Sequence, residues 1–94
     1  MNSNNLEKQK KRLLTYFKEN RFEKVIDEGI KILEERQNDA QLILLLGLSS
    51  INLQNFIDAE KFFKKLLLLK KTAENFYTLG NIQKKQKKFK EALG

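Results

Sequence analysis

The chain has no cysteine, no histidine and no proline among its 94 residues. Without cysteine there is neither a disulfide framework nor a thiolate metal site. Without histidine, the commonest general base and the commonest metal ligand are both missing. No stretch reaches the roughly 18 apolar residues that cross a bilayer. The opening Met1-Asn-Ser-Asn-Asn-Leu6 lacks the apolar core of a secretory signal. It reads as a frayed polar terminus, and a cytoplasmic protein is expected. Glycine is sparse too: Gly29, Gly47, Gly80 and Gly94 are isolated, and none begins a phosphate-cradling loop.

Residues that could do chemistry are correspondingly few. Ser49 and Ser50 sit inside a helical pattern, with no histidine to activate them. Small residues there let two helices approach. Asp27–Glu28 and Glu34–Glu35 are adjacent pairs, which point about 100° apart on a helix and make poor acid–base partners. No catalytic residue, cofactor or metal is expected, and the chain is not read as an enzyme.

What is present is apolar residues at helical spacing and a positive charge. Hydrophobic residues make up 40% of the chain, enough for one modest core. A compact globule of this size would be marginal, whereas an elongated stack buries each helix only against its neighbours. The formal net charge is +7. Frequent Lys, Asn, Ile and Phe and absent Pro follow the usage of an AT-rich coding sequence, which gives a compositional account of the charge. The alternative is an acidic partner such as nucleic acid. Lys is spread over several helices and Glu23, Asp27, Glu28, Glu34 and Glu35 offset it, which favours the compositional account.

The organising feature is a repeat. Stepping back 33 residues takes Gly80 to Gly47, Leu79 to Leu46, Phe89 to Phe56 and Ala92 to Ala59. A further step of 34 takes Phe56 to Phe22 and Ala59 to Val25, and sets Tyr16 and Phe17 where Ser50 and Ile51 fall. A fixed period of this size marks stacked repeats. Two full units, 6–39 and 40–72, and a truncated third, 73–94, make a single domain. The pattern resembles the tetratricopeptide repeat family, W-x2-L-G-x2-Y, A-x3-F and P over about 34 residues. The third copy supplies Phe76 for the Trp, then Leu79–Gly80 and Ala92. The second supplies Ile43, Leu46–Gly47, Ala59 and Phe63. The first keeps Tyr16 and Phe22 but has Val25 and Gly29 where Ala and Phe are usual. Gln37 and Lys71 stand in the place of the closing Pro. The resemblance implies an all-α fold of antiparallel helix pairs stacked as a short right-handed superhelix.

Taken in order, the first helix spans about 5–18 and ends at Asn20, a residue that tolerates the left-handed conformation. The second, about 22–36, carries the stripe Phe22, Val25, Ile26, Ile30 and Leu33. Gly29 interrupts it and should mark the close approach of a neighbouring helix. Asn38–Asp39 is a start signal for the third helix, about 39–53, which is apolar nearly all round and so is either buried on every side or binds something. Gln54–Asn55 makes a turn into the fourth, about 56–70. Thr72 caps the fifth, about 73–86. A sixth would begin near Phe89. A truncated repeat leaves Phe76 and Leu79 partly covered, which suggests a fragment of a longer protein or self-association through this end. A related arrangement continues the fifth helix through Lys84–Lys88 and exchanges it with a neighbour.

In arrays of this family the first helix of each pair lines a concave groove. By resemblance the groove would be lined by Lys10, Lys11, Leu14 and Phe17, then Leu44, Leu45, Leu48 and Ile51, then Tyr77, Thr78, Asn81, Lys84 and Lys85. An apolar middle with basic ends suits a peptide or partner helix with apolar anchors and acidic flanks. Some members clamp a C-terminal carboxylate through Lys, Asn and Arg; here Lys10 matches, but Leu14, Leu45, Glu74 and Thr78 do not. The expected function is a non-catalytic protein-interaction scaffold. Two alternatives are a substrate-presenting region ahead of an enzyme such as a glycosyl- or sulfotransferase, and a basic nucleic-acid-binding adaptor. For the latter, Lys84, Lys85, Lys87, Lys88 and Lys90 offer phosphate contacts, but only Tyr77 and Phe89 are near enough to stack on bases. Nucleic acid is therefore the weaker expectation, and no membrane partner is expected.

Overall fold

A computed structural model describes residues 3–93. They form five helices: α1 (Ser3–Lys18), α2 (Phe22–Glu35), α3 (Ala40–Asn52), α4 (Phe56–Leu69) and α5 (Ala73–Leu93). No strand occurs among the described residues. Each helix packs on the next in sequence, and α1 also touches α3. The result is elongated, 47 × 27 × 20 Å, as expected of a row of neighbours. No described helix is long and apolar enough to cross a membrane.

The period seen in the sequence is also a period of backbone hydrogen bonds. At the end of α1 the Arg21 amide donates to Tyr16 O at 2.8 Å and the Asn20 amide to Phe17 O at 3.0 Å. At the end of α3 the Asn55 amide donates to Ser50 O at 2.9 Å and the Gln54 amide to Ile51 O at 2.9 Å. Every one of these positions is displaced by 34 residues from its counterpart. The pairing closes the last carbonyls of a helix with a left-handed residue just after it. That residue is Asn20 (φ 61°) in the first turn and Gln54 (φ 60°) in the second. In the first turn Arg21 also lies over the Tyr16 ring, 5.3 Å from its centroid, joining the two ends of the motif.

The connections between hairpins are less uniform. Residues 36–39 join α2 to α3, whereas 70–72 join α4 to α5, one residue fewer. This shortening is where the offset drops from 34 to 33. Both connections end in a cap. Asp39 accepts from the Leu42 amide at 3.1 Å, and Thr72 accepts from the Asn75 amide at 3.1 Å. Each cap supplies one of the acceptors that the first turn of a helix lacks.

The core lies in two clusters on either side of α3. Leu6, Leu13, Ile32, Leu42 and Leu46 form one between α1, α2 and α3. Ile43, Phe56, Ala59, Phe63, Leu66 and Ile82 form the other between α3, α4 and α5. Feeding both accounts for two sides of the nearly all-apolar α3. Two glycines admit the neighbours that fill these clusters. A Cβ on Gly29 would stand 2.6 Å from Leu46 Cδ2, and a Cβ on Gly47 would stand 2.6 Å from Phe63 Cε2. Gly29 thus marks the close helix approach expected of it. Gly80, placed one repeat after Gly47 by the sequence, has nothing within 4 Å of that position.

α5 takes the continuous course through Lys84–Lys88 and not the two-helix one. It does not stop near residue 86, and no separate sixth helix begins at Phe89; one helix runs to Leu93. One repeat after Gln54 stands Lys87, with no Asn or Gly beside it to take the left-handed turn, and the run of Gln, Lys, Glu, Ala and Leu favours helix. Contacts with α4 hold the extension. Gln86 Nε2 donates to Phe56 O at 3.1 Å and to Glu60 Oε1 at 2.7 Å, and Gln83 Nε2 donates to Glu60 Oε2 at 3.1 Å. Phe56 and Phe89, matched as equivalent anchors of successive repeats, instead touch each other with ring centroids 5.4 Å apart.

Candidate docking cleft

α1 and α3 lie on the same side of α2, and their facing residues bound an open cleft of about 440 Å³. This is within the range of sites that hold small ligands or peptide side chains. Leu13 and Leu42 form a buried floor. Leu14, Phe17, Leu44, Leu45 and Leu48 make apolar walls. The rim leucines face water, with Leu14 44% and Leu44 37% exposed. Helical spacing explains the set: Leu14 and Phe17 are three apart on α1, and Leu44 and Leu48 four apart on α3. Phe17 is steadied by an edge-on contact with Phe22, centroids 5.3 Å apart.

Seven of the residues assigned to a groove from the sequence line this cleft: Lys10, Lys11, Leu14, Phe17, Leu44, Leu45 and Leu48. Lys10 is already engaged. Its Nζ lies 2.7 Å from Asp39 Oδ2 and donates to Gln41 Oε1 at 2.9 Å. The same Asp39 caps α3 through its other oxygen, so Lys10 ties α1 to the start of α3. Lys11 is exposed, and its ammonium makes no ion pair among the described residues. The remaining assigned residues lie elsewhere. Ile51 packs partly buried against the second core cluster. Tyr77, Thr78, Asn81 and Lys84 stand on α5 and do not line the cleft. Lys85 lies over the Phe56 ring at 5.6 Å, against α4. Glu7 and Gln41 line the cleft and were not anticipated. Glu7 is one turn before Lys11 and Gln41 one turn before Leu44 and Leu45, so helical periodicity carried the signal for both.

Both serines of the pair are buried. Ser50 Oγ donates to Leu46 O at 2.9 Å, one turn back in α3. Ser49 Oγ is buried without a hydrogen-bond partner among the described residues. No group of three or more His, Cys, Asp or Glu poised for a metal occurs among the described residues.

Charge is distributed unevenly along the row. Residues 56–94 carry ten lysines against four carboxylates, so six of the seven net positive charges belong to the α4–α5 pair. Lysines occur on every helix except α3, whereas the carboxylates are concentrated, with five of the twelve on α2. Two carboxylates of the basic pair are engaged: Asp58 accepts from Asn55 Nδ2 at 2.8 Å, and Glu60 accepts from Gln83 and Gln86. The bond from Gln83, then that from Gln86, holds the Glu60 carboxyl below the ordinary carboxylate range, against the opposing effect of burial.

Comparison with known protein families, with curated proteins and with solved structures finds no match.

Proposed function

We propose that the chain is a non-catalytic interaction module, a short right-handed superhelix of tetratricopeptide type, whose α1–α3 cleft takes a peptide or partner helix. The observation that carries this reading is the cleft itself, where Leu14 and Leu44 stay open to water beside an apolar floor. An apolar surface of this kind marks an interaction site in most proteins that keep one. A ligand with two apolar anchors at helical or extended spacing fits the walls, and an acidic residue beside the anchors fits Lys11.

The test is selection from a displayed peptide library against the wild type and against Leu14→Glu/Leu44→Glu. Both rim residues are partly exposed, so the variant should keep its far-ultraviolet circular dichroism. Peptides carrying apolar anchors should be enriched on the wild type and lose at least about tenfold in affinity on the variant. Enriched peptides that bind both proteins equally, or no enrichment at all, would sink the reading.

A further inference from the structure

We infer that the outer face of α5 is a docking surface for the outer face of α2 in a second copy of this chain. The starting point is Gly80. A glycine inside a helix weakens that helix relative to alanine. At Gly29 and Gly47 the lost side chain makes room for Leu46 and Phe63, whereas the space at Gly80 is empty. One turn before Gly80 stand Phe76 and Tyr77, 56% and 73% exposed. One and two turns after it stand Lys84, Lys87 and Lys88, all exposed and without partners among the described residues. Helical geometry puts these residues on the side of α5 opposite its buried Ile82. Such a face fits a helix with an apolar side chain over Gly80 and carboxylates one and two turns to one side.

α2 presents that pattern. Its outer stripe is Glu23, Asp27, Ile30 and Glu34, with Ile30 40% exposed and the three carboxylates in no ion pair among the described residues. Set antiparallel with Ile30 over Gly80, the two helices match in spacing. Lys84 and Lys88 lie four and eight residues beyond Gly80, and Asp27 and Glu23 lie three and seven residues before Ile30. Each mismatch is one residue, about 1.5 Å of helix rise. Glu34 then falls beside Phe76 and Tyr77. Lys65 lines the hollow beside Ile30 and Glu34 and leaves the Glu23–Asp27 end clear. A symmetric antiparallel α5–α5 pair crossing at Gly80 would set Lys84 against Phe76 and Lys88 against Thr72, with no carboxylate opposite either lysine. Pairing α5 with α2 brings the basic α4–α5 pair to the acidic helix, and each copy can offer both surfaces. The α1–α3 cleft takes no part.

The experiment is sedimentation of the whole chain from about 10 µM to about 1 mM, where a weak interface of this size becomes populated. The wild type should gain mass with concentration. Lys84→Glu/Lys88→Glu and Glu23→Lys/Asp27→Lys should each raise the dissociation constant by at least about tenfold, and an equal mixture of the two should restore association. Gly80→Ala should keep its helix content yet weaken association. A wild type that stays monomeric throughout overturns the proposal, as does a reversed variant that associates like the wild type or a mixture that fails to recover. A monomeric wild type that binds a single-stranded oligonucleotide through Lys84 and Lys88 would give this face to nucleic acid, and the proposal would fall.

Discussion

Replacing each helical glycine by alanine should give three different answers from one chemical change. At Gly80 the new methyl meets nothing within 4 Å. The gain is then the helical preference itself, about 1 kcal/mol, which raises Tm by about 4–8 °C in a domain of this size. At Gly47 the methyl would stand 2.6 and 2.9 Å from two atoms of the Phe63 ring. That ring is 1% exposed and closed in by the second core cluster, so it has no free end to swing aside. Overpacking of about 1–3 kcal/mol cancels or outweighs the same helical gain, leaving a net loss of up to about 2 kcal/mol. At Gly29 the nearest atom is a terminal methyl of Leu46, at 2.6 Å, with its Cγ at 3.4 Å. A leucine end can yield part of the way, so this variant should fall between the other two. Urea unfolding followed by circular dichroism, at low micromolar protein, measures all three. A Gly47→Ala protein as stable as Gly80→Ala would refute the packing account of α3 and α4.

Three further outcomes follow from particular contacts. Ser49→Ala removes a buried hydroxyl that has no partner, and should stabilise by about 1 kcal/mol in the same urea assay; a loss of stability would mean that the hydroxyl is satisfied. Asp39→Ala removes the cap of α3 and the partner of Lys10 together, at a cost of about 1–2 kcal/mol, whereas Asp39→Asn should keep most of the cap; equal losses in both would assign the effect to the ion pair. Glu60 titrates below its unfolded value, so its contribution is present above the unfolded carboxylate pKa and is lost as pH falls through the folded one. Between about pH 6 and pH 3 the wild type should therefore lose more stability than Glu60→Gln; identical acid limbs would count against the bonds from Gln83 and Gln86.

The helices were legible because their signals are local. Asn20, Gln54–Asn55, Asp39 and Thr72 fall where helices end or begin, and in each case a left-handed residue or a side-chain acceptor does the work. The burial of most of α3 was legible from its composition, though Leu44 stays open to water, and the tight contact at Gly29 was legible from the oddity of a glycine in an apolar stripe. What the period concealed was the end of the row. Matching Phe89 to Phe56 placed a turn at Lys84–Lys88, but a repeat pattern says nothing about whether a partner hairpin is there to make the turn worthwhile. With α4 alongside and no left-handed residue at hand, Gln86 and Phe89 settle on α4 and the helix runs on. The cleft was legible in part for a similar reason. Leu14, Leu44 and Leu48 follow from helical spacing, whereas the engagement of Lys10 depends on Asp39, 29 residues away, and the position of Lys85 depends on α4.

The twin turns at Asn20 and Gln54 have a consequence for how such a chain can change in length. One hairpin prescription is written twice, bond for bond, and the hairpins meet only side to side. The bonds that close each turn lie within that turn, so a hairpin can close in the same way whatever stands beside it, while an insertion of a few residues inside the turn would break them.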